Sequence, residues 1–586
     1  MMKHKFEKII AQYEPQLVRG HRRFDVFGYV KILAFIIDAI CLVFLFASSF
    51  VVWAVVATAA FFGVSIALWW LHERLYDRIR YMEGISEICR QHITRIDNEW
   101  ASFADTGSEF IDAAHPYASD LDIVGAKSFF QFLNTTKTWH GRQAFARDLL
   151  RPSYEMEEIH ERQAAIAELA SDIDFANDMQ FYLSRVGVNA TDVDLAHDLA
   201  DSTPFLESKV RQLVICYLPF FSMAILFLGA ILQVYTVFFV GIALLLVQPC
   251  LCKWGLAIAY LGIVSKLPYE LDRYVRAIDR IAEKEFVSTK LAQMKAEIVT
   301  ARDAVKELEK IVNKQTYRSN PLLFIFLNWL LLWDAYCAIL LQRWKAKHSK
   351  GAWLAVIGEF ESLLAFSHLK NVCEGVCLPK ITQTPKTLTA TALGHPLLAN
   401  STRVCNNVHL SDNIFIISGS NMSGKTTFMR TIGVNLLLAR AGGFVCAESM
   451  TCSCFDIATS MRLADDLTQG VSTFYAELKR IKMVLEMARD NERVIFLIDE
   501  IFRGTNSVDR LAGAEAVLTR LDKIGAVGMI STHDIELCKL AEKSPRVENF
   551  SFCEIYQGGQ ITFDYKIHAG RSVTTNARFL MQMVGI

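Results

Sequence analysis

The sequence has almost no net charge: 61 Lys and Arg stand against 62 Asp and Glu, a formal charge of −1. That excludes a globally basic nucleic-acid-binding chain, so any DNA contact has to come from local patches. A disulfide framework is also missing. The 14 Cys in 586 residues are scattered. Cys41, Cys216 and Cys337 lie in apolar runs, where they read as small buried hydrophobes in a reducing cytoplasm. Cys452-Ser453-Cys454 and the Cys373/Cys377 pair have no second pair at zinc-finger spacing, so no metal is expected there. No low-complexity tract or repeat array appears. No small-residue cleavage site follows the first apolar run, which is too long for a signal peptide.

What is present is apolar residue in excess. Hydrophobic residues make up 52% of a chain that is still 21% charged, a mixture that suggests membrane segments spliced into a soluble protein. The length exceeds one core, so about two to four structural units are expected. Residues 1–31 form a polar, basic tail with Lys3, Lys5, Arg19, Arg22, Arg23 and Lys31. Residues 32–71 then contain one ionisable acid or base, Asp38. One bilayer crossing takes ~20 apolar residues, so this stretch predicts a helical hairpin with a turn near Ser48-Ser49. Residues 212–252 carry no charge at all and predict a second hairpin. Basic residues flank both (Arg22, Arg23, Lys31, Arg74, Arg78 and Arg80; then Lys209, Arg211, Lys253 and Lys266), which puts the ends in the cytoplasm. Asp38 is a candidate intramembrane relay, but the expected arrangement is an interfacial residue paired with Lys31. Ile281 to Gln315 shows a heptad seam, Leu291, Ile298, Val305 and Val312, and predicts a lever-like helix or short coiled coil. Leu322 to Trp344 is apolar but interrupted by Asn328 and Asp334. It is read as a buried core helix, with a fifth span as the alternative.

The chemistry sits near the C-terminus. Gly419-Ser420-Asn421-Met422-Ser423-Gly424-Lys425-Thr426-Thr427 fits G-x-x-x-x-G-K-[ST] in full. It lies between a short apolar run, Ile414 to Ile417, and a helix-compatible segment from Phe428 to Arg440. Strand, glycine loop, helix is the context of a P-loop, in which backbone N–H groups and a helix N-terminus face a phosphate. Lys425 is then placed for the β/γ-phosphates of ATP and Thr426 for Mg²⁺. The apolar strand Val494 to Ile498 ends in Asp499 and Glu500, a Walker B pattern: Asp499 for the Mg²⁺ shell, Glu500 to polarise the attacking water. Another strand, from Ala526 to Thr532, ends in His533, positioned to sense the γ-phosphate.

Between these motifs, Ala464-Asp465-Asp466-Leu467-Thr468-Gln469-Gly470-Val471-Ser472-Thr473-Phe474 resembles the signature segment of the MutS family of ABC-type ATPases. Gly394-His395-Pro396-Leu397 is similar to that family's H-P element. Val404-Cys405-Asn406-Asn407-Val408 is similar to its adenine-side segment, and Asp499 to Thr505 to D-E-x-G-R-G-T, with Phe502 in place of a glycine. Phe129 to Pro152 and Ile159 to Gln163 resemble the start of its helical core domain. The likeness covers roughly residues 110–210 and 266–586. It implies a homodimer through the ATPase domains, in which Ser472 of one subunit completes the site of the other; without a partner, Ser472 reads as a helix N-cap. There is no room before Ile32 for a mismatch-reading domain and no Phe-x-Glu wedge, so mismatch specificity is not expected.

The expected architecture is a C-terminal α/β P-loop ATPase domain (380–586) preceded by an all-α core and lever region (72–211 and 253–379). The hairpins 32–71 and 212–252 interrupt it, behind the tail 1–31. The expected function is a multi-pass inner-membrane, MutS-like ATPase with its ATPase domain in the cytoplasm. ATP and Mg²⁺ are its cofactors and double-stranded DNA its candidate partner. The alternative is a nucleotide-dependent membrane scaffold or protein-binding ATPase that does not act on DNA. A transporter would show an L-S-G-G-Q-like signature and about six spans with a polar path, and the sequence has neither.

Overall fold

The computed structural model describes residues 2–47, 51–184, 203–251, 254–262, 268–348, 352–462, 473–502, 506–557 and 560–572. The chain divides into two compact units, Met1–Ser102 with Asn371–Cys373 and Phe103–Lys370 with Glu374–Ile586.

The first unit is an antiparallel pair, α1 (Met2–Ala47) and α2 (Val51–Ile96), each of 46 residues. At 1.5 Å per residue each helix is about 69 Å long, more than twice the ~30 Å of a hydrocarbon core. The residues read as a basic tail are therefore about the first two-thirds of α1, and the boundary expected at 71/72 falls inside α2. The turn expected at Ser48-Ser49 lies outside the described residues. The polar half is zipped by Lys3 to Asp97 at 2.6 Å, His21 to Glu83 at 3.0 Å and Phe24 stacked on His72 at 4.2 Å. In the apolar half, Asp38 does not pair with Lys31. Its Oδ2 accepts from Ser65 Oγ at 2.5 Å, because Ser65 on α2 faces it directly, whereas Lys31 lies two turns away on its own helix.

In the second unit the helices are α3 (Phe129–Leu133), α4 (Trp139–Leu150), α5 (Met156–Ser171) and α6 (Ile173–Leu183). They are followed by α7 (Lys209–Ile231), α8 (Tyr235–Leu251), α9 (Trp254–Leu261), α10 (Pro268–Glu283) and α11 (Thr289–Asn313). The set ends with α12 (Pro321–Leu331), α13 (Trp333–Lys347) and α14 (Ala352–Ser367). The α4 N-terminus is capped twice. Thr138 Oγ1 accepts from Gly141 N at 3.0 Å, and the buried Glu361 accepts from Lys137 N at 2.7 Å and Thr138 N at 3.3 Å. This satisfies amides that a helix start leaves open.

Two sequence expectations change here. The heptad seam does not make a free lever. The chain breaks between α10 and α11, and Leu291, Ile298, Val305, Leu308 and Val312 are all buried in the helical bundle. Trp344 of α13 ties to the middle of α11, donating from Nε1 to Ala304 O at 2.7 Å. Nor is 322–344 one core helix. Leu332, at φ 49°, bends α12 from α13 by 75°. Asn328 and Asp334 form the joint: Asp334 N donates to Asn328 Oδ1 at 2.9 Å, Asn328 Nδ2 donates to Asp334 Oδ2 at 3.2 Å, and Tyr317 OH bonds to Asp334 as well. Beyond the joint α13 is largely buried, while α12 leaves Leu322, Ile325, Phe326 and Trp329 exposed.

α7 and α8 form the second apolar hairpin. Gly241 lets the backbones meet, since a Cβ there would lie 2.7 Å from the Leu226 backbone. Gln248 of α8 joins the pair to α12, donating from Nε2 to Trp329 O at 2.5 Å. Among the described residues, three helical stretches are long and apolar enough to cross a membrane, Val55–Ile96, Lys209–Ile231 and Ala352–Val372, and two bent pairs, Tyr235–Cys250 with Trp254–Leu261 and Pro321–Leu331 with Trp333–Lys347, raise the number to five if each is one span. The third is buried among other helices, so burial within the protein accounts for its apolar character.

The C-terminal part holds two sheets. The strands are β1 (Lys380–Thr382), β2 (Thr387–Leu393), β3 (Asn406–Ser411), β4 (Ile414–Ser418) and β5 (Ser449–Ser453), then β6 (Asp456–Ser460), β7 (Val494–Asp499), β8 (Val527–Thr532), β9 (Val547–Gln557) and β10 (Gln560–Ala569). A four-stranded sheet runs β1-β5-β2-β3, and a six-stranded sheet runs β10-β9-β4-β8-β7-β6. In the larger sheet only β9 and β10 pair antiparallel. β4, β7 and β8 are buried along their whole length. That explains why they read as unbroken apolar runs rather than alternating ones. Helices α15 (Lys425–Arg440), α16 (Thr473–Asp490) and α17 (Ser507–Lys523) accompany the sheet.

Candidate functional site

The carboxyl ends of β4, β7 and β8 converge, the usual place for a ligand in an open parallel sheet. The loop leaving β4 needs both of its glycines. Gly419 has φ 146° and a Cβ there would sit 2.7 Å from Phe552 O, while Gly424 has φ 107° and lies under the Tyr565 ring. α15 starts directly after it, at Lys425. Lys425 is buried, its Nζ donating to Gly419 O at 2.9 Å and Ser420 O at 2.8 Å. Ser423 Oγ donates to Ser420 O at 2.9 Å, closing the loop on itself. Asn421, Met422 and Thr427 line the cavity that the loop borders.

Thr426 Oγ1 donates to Asp499 Oδ2 at 2.8 Å, so the end of β7 and the start of α15 present hydroxyl and carboxylate oxygens side by side. Asp499 Oδ1 is held by the Ser531 hydroxyl from β8. Glu500, at φ 51°, hangs its backbone N–H on Ser531 O at 3.2 Å. Its carboxylate meets His533 Nε2, which also lies 2.7 Å from Asn421 Oδ1. Lys425, Thr426, Asp499, Glu500 and His533 are thus brought to one place, with Asn421 between the loop and His533. Ser472 lies outside the described residues, as does Arg503-Gly504-Thr505.

Phe502, the departure from the glycine pattern, has a physical home. At φ 60° it turns into the core, 5.7 Å edge-on from Phe474, and its ring rests on Gly513 of α17, where a Cβ would be 2.5 Å away. A glycine on the facing helix makes the room that the larger side chain takes.

The cavity has a volume of about 750 Å³. Its far wall comes from residues distant in sequence, including His395, Asn406, Phe552 and Tyr565. Burial first, then the charges of Arg430 and Arg403, press the His395 pKa down to about 4, so its ring is neutral at pH 7. Tyr565 is a residue that sequence reasoning missed. It sits at φ 54° in a bulge of β10 between Phe563 and Ile567. Asn406 pins that bulge, accepting from Ile567 N at 2.9 Å and donating to Tyr565 O at 3.0 Å. The signal in the sequence is Asn406 itself, and nothing local points to the tyrosine in the other sheet.

The surroundings fit a nucleotide with a divalent cation. Ser420 Oγ is buried with no hydrogen-bond partner among the described residues and its residue borders the cavity, which leaves the hydroxyl as a donor for a phosphate oxygen. The Thr426 and Asp499 oxygens are the hard ligands that Mg²⁺ takes.

Comparison with known proteins agrees with this placement. Residues 415–581 match MutS domain V, and residues 118–212 match MutS domain III. The DNA mismatch repair protein MutS of Streptococcus suis is 34% identical over 183 residues, 30% of this chain and 21% of the relative. The MutS proteins of an Exiguobacterium species and of Bacillus cytotoxicus are 37% identical over 173 residues and 39% identical over 159, covering 29% and 27% of this chain. The chain thus spans about a fifth of the length of these curated relatives, 21%, 20% and 18% in turn. Together the two domain matches and the relatives support a MutS-family protein whose C-terminal α/β part is compatible with domain V.

Proposed function

We propose that the chain is a membrane-anchored, Mg²⁺-dependent ATPase of MutS type, a nucleotide-driven switch that works as a dimer and engages double-stranded DNA. The observation that carries the ATPase reading is the Thr426–Asp499 oxygen pair beside Glu500 at the mouth of a cavity floored by the glycine loop. In support of anchoring, α1/α2 and α7/α8 are two hairpins with apolar side chains turned outward, among them Phe35, Phe62, Phe220 and Phe239. The DNA part leans on the relatives' printed role in mismatch repair.

In this mechanism Lys425 leaves the Gly419 and Ser420 carbonyls to meet the phosphates, and the Ser420 hydroxyl and loop amides donate to their oxygens. Thr426 and Asp499 would hold Mg²⁺, which supplies charge neutralisation for an in-line displacement. Glu500 accepts a hydrogen bond from the attacking water and orients it. His533, poised between Glu500 and Asn421, reports loss of the γ-phosphate to β8 and the loop. Ser472 completes the site of the partner subunit. Tyr565 offers a ring face for a purine, and such aromatic contacts are worth ~0.5–1.5 kcal/mol, so Tyr565→Ala should weaken nucleotide affinity about 2- to 13-fold. Equilibrium titration with a fluorescent ATP analogue measures this; unchanged affinity would remove Tyr565 from the site.

Steady-state ATPase activity of the detergent-purified chain tests the whole reading, with no DNA, matched duplex and mismatched duplex. Equal stimulation by both duplexes is expected. Stronger stimulation by the mismatch would add mismatch reading. Turnover without any DNA response would discard the DNA part in favour of a protein-binding switch.

A further inference from the structure

We propose that the α1/α2 hairpin carries a binding site for the phosphate of an anionic lipid headgroup, held by Arg19, Arg23 and Arg78. The inference rests on the membrane-anchored reading and adds a ligand to it. A cavity of about 180 Å³ opens on the hairpin, lined by Gln16, Arg19, Gly20 and Arg23 of α1 and by Leu75 and Arg78 of α2. Those α1 positions recur at helical spacing, so their side chains share one face. Gly20 brings the helices together here: a Cβ at that position would lie 3.1 Å from the Ile79 side chain. Three guanidinium groups are therefore collected around one hollow.

Their charges are not spent inside the protein. Neither Arg23 nor Arg78 makes an ion pair among the described residues, and Arg19 uses its Nε only for the Pro15 carbonyl, at 3.2 Å. Other cations of the hairpin do have partners. Lys3 pairs with Asp97, His21 with Glu83, and Arg74 stacks 3.5 Å above the Trp70 ring.

The depth of the cluster selects the ligand. Tyr29 is 74% exposed, and Trp69 and Trp70 are 54% and 47% exposed, an aromatic girdle at the start of the apolar halves. Such rings mark the membrane–water interface. At 1.5 Å per residue, Arg23 lies about 9 Å and Arg78 about 12 Å beyond that girdle on the basic side. That is where the polar headgroup layer meets water. Planar guanidinium forks match phosphate oxygens in pairs, which a diffuse lysine patch does not. The ligand chemistry is a phosphate ester, and the position at the membrane surface assigns it to a lipid rather than to nucleic acid.

The test is thermal melting of the detergent-solubilised full chain with dioctanoyl phosphatidylglycerol, dioctanoyl phosphatidylcholine, inorganic phosphate or a short DNA duplex. Phosphatidylglycerol should raise the melting temperature saturably and phosphatidylcholine should not. Arg23→Gln/Arg78→Gln should weaken that response about 30-fold, at ~1 kcal/mol per arginine near anionic lipid. Arg22→Gln/Arg80→Gln removes the same charge outside the cavity and should leave it unchanged. Equal losses in the two double variants would overturn the site, as would an equal response to phosphatidylcholine or to inorganic phosphate alone. A DNA-induced shift abolished by Arg23→Gln/Arg78→Gln would reassign the cluster to nucleic acid. Carbonate extraction of membranes separates the two readings. Release of the chain would refute the anchor itself, whereas retention without a lipid response would refute only the headgroup site.

Discussion

Glu500→Gln is expected to lower kcat for ATP hydrolysis by about 10²- to 10⁴-fold, the range contributed by a positioned general base. Nucleotide affinity should stay within about threefold, because the change spares the groups that hold phosphate and metal. The geometry makes the two effects separable. Glu500 is fixed through its own backbone, N–H to Ser531 O at 3.2 Å, and holds a left-handed φ of 51°. Glutamine keeps that backbone bond and the length of the side chain. It still accepts a hydrogen bond from His533 through its carbonyl oxygen, but it cannot take a proton from water. The Thr426–Asp499 pair and the Lys425 contacts involve other atoms and are untouched. Single-turnover hydrolysis together with equilibrium nucleotide binding measures both halves. A variant that turns over within threefold of wild type would remove Glu500 as the base, and one that loses binding would make it a structural residue.

The site's near elements were legible because their signals are local. A buried parallel strand is a short apolar run, and β4 occupies Ile414–Ser418, within a residue of the expected Ile414–Ile417. Helix α15 begins at Lys425, inside the motif rather than after it, since the loop's last amides already belong to the helix turn. The far wall was not legible. Tyr565 depends on a bulge, and the bulge depends on Asn406, which reaches it from another sheet. The apolar run 322–344 reads as one buried helix, but its two polar interruptions mark a break: Asn328 and Asp334 are buried because each satisfies the other across a 75° bend. Heptad spacing gave the buried face of α11 but not its partner. Periodicity states that a helix has an apolar stripe, and the same stripe serves a free coiled coil and a bundle core alike. Phe502 shows the same limit, since the space for its ring is made by Gly513 on another helix.

Asp148→Ala is expected to destabilise the second unit by about 3–5 kcal/mol, the cost of breaking a buried ion pair from one side. Asp148 Oδ2 accepts from Arg162 Nη2 and from Ser362 Oγ, both at 2.8 Å, and Oδ1 accepts from Arg147. Arg162 is 4% exposed, and its Nε donates to Ala441 O at 2.8 Å, the carbonyl that follows α15. The pair therefore ties the helical bundle to the far end of the helix whose N-terminus carries Lys425. Gly442, at φ 75°, allows the approach, since a Cβ there would be 2.6 Å from Arg162 Cβ. Removing the carboxylate strands the Arg162 charge in a place that water does not reach, while alanine on its own costs α4 nothing. The unfolding midpoint in urea should fall, whereas Arg147→Ala, which removes the more exposed partner, should cost about 1 kcal/mol or less. The same linkage predicts acid sensitivity. Burial alone would raise the Asp148 pKa, but the Arg162 and Arg147 charges and the Ser362 hydroxyl outweigh it and hold it below the usual carboxylate value. A carboxylate depressed in the folded state contributes stability that is complete above its unfolded pKa of about 3.9 and is lost as pH falls through the lower folded value. Wild type should accordingly lose stability relative to Asp148→Ala only below about pH 4, and a difference constant from pH 7 down to pH 3 would show that Arg162 does not depend on this carboxylate.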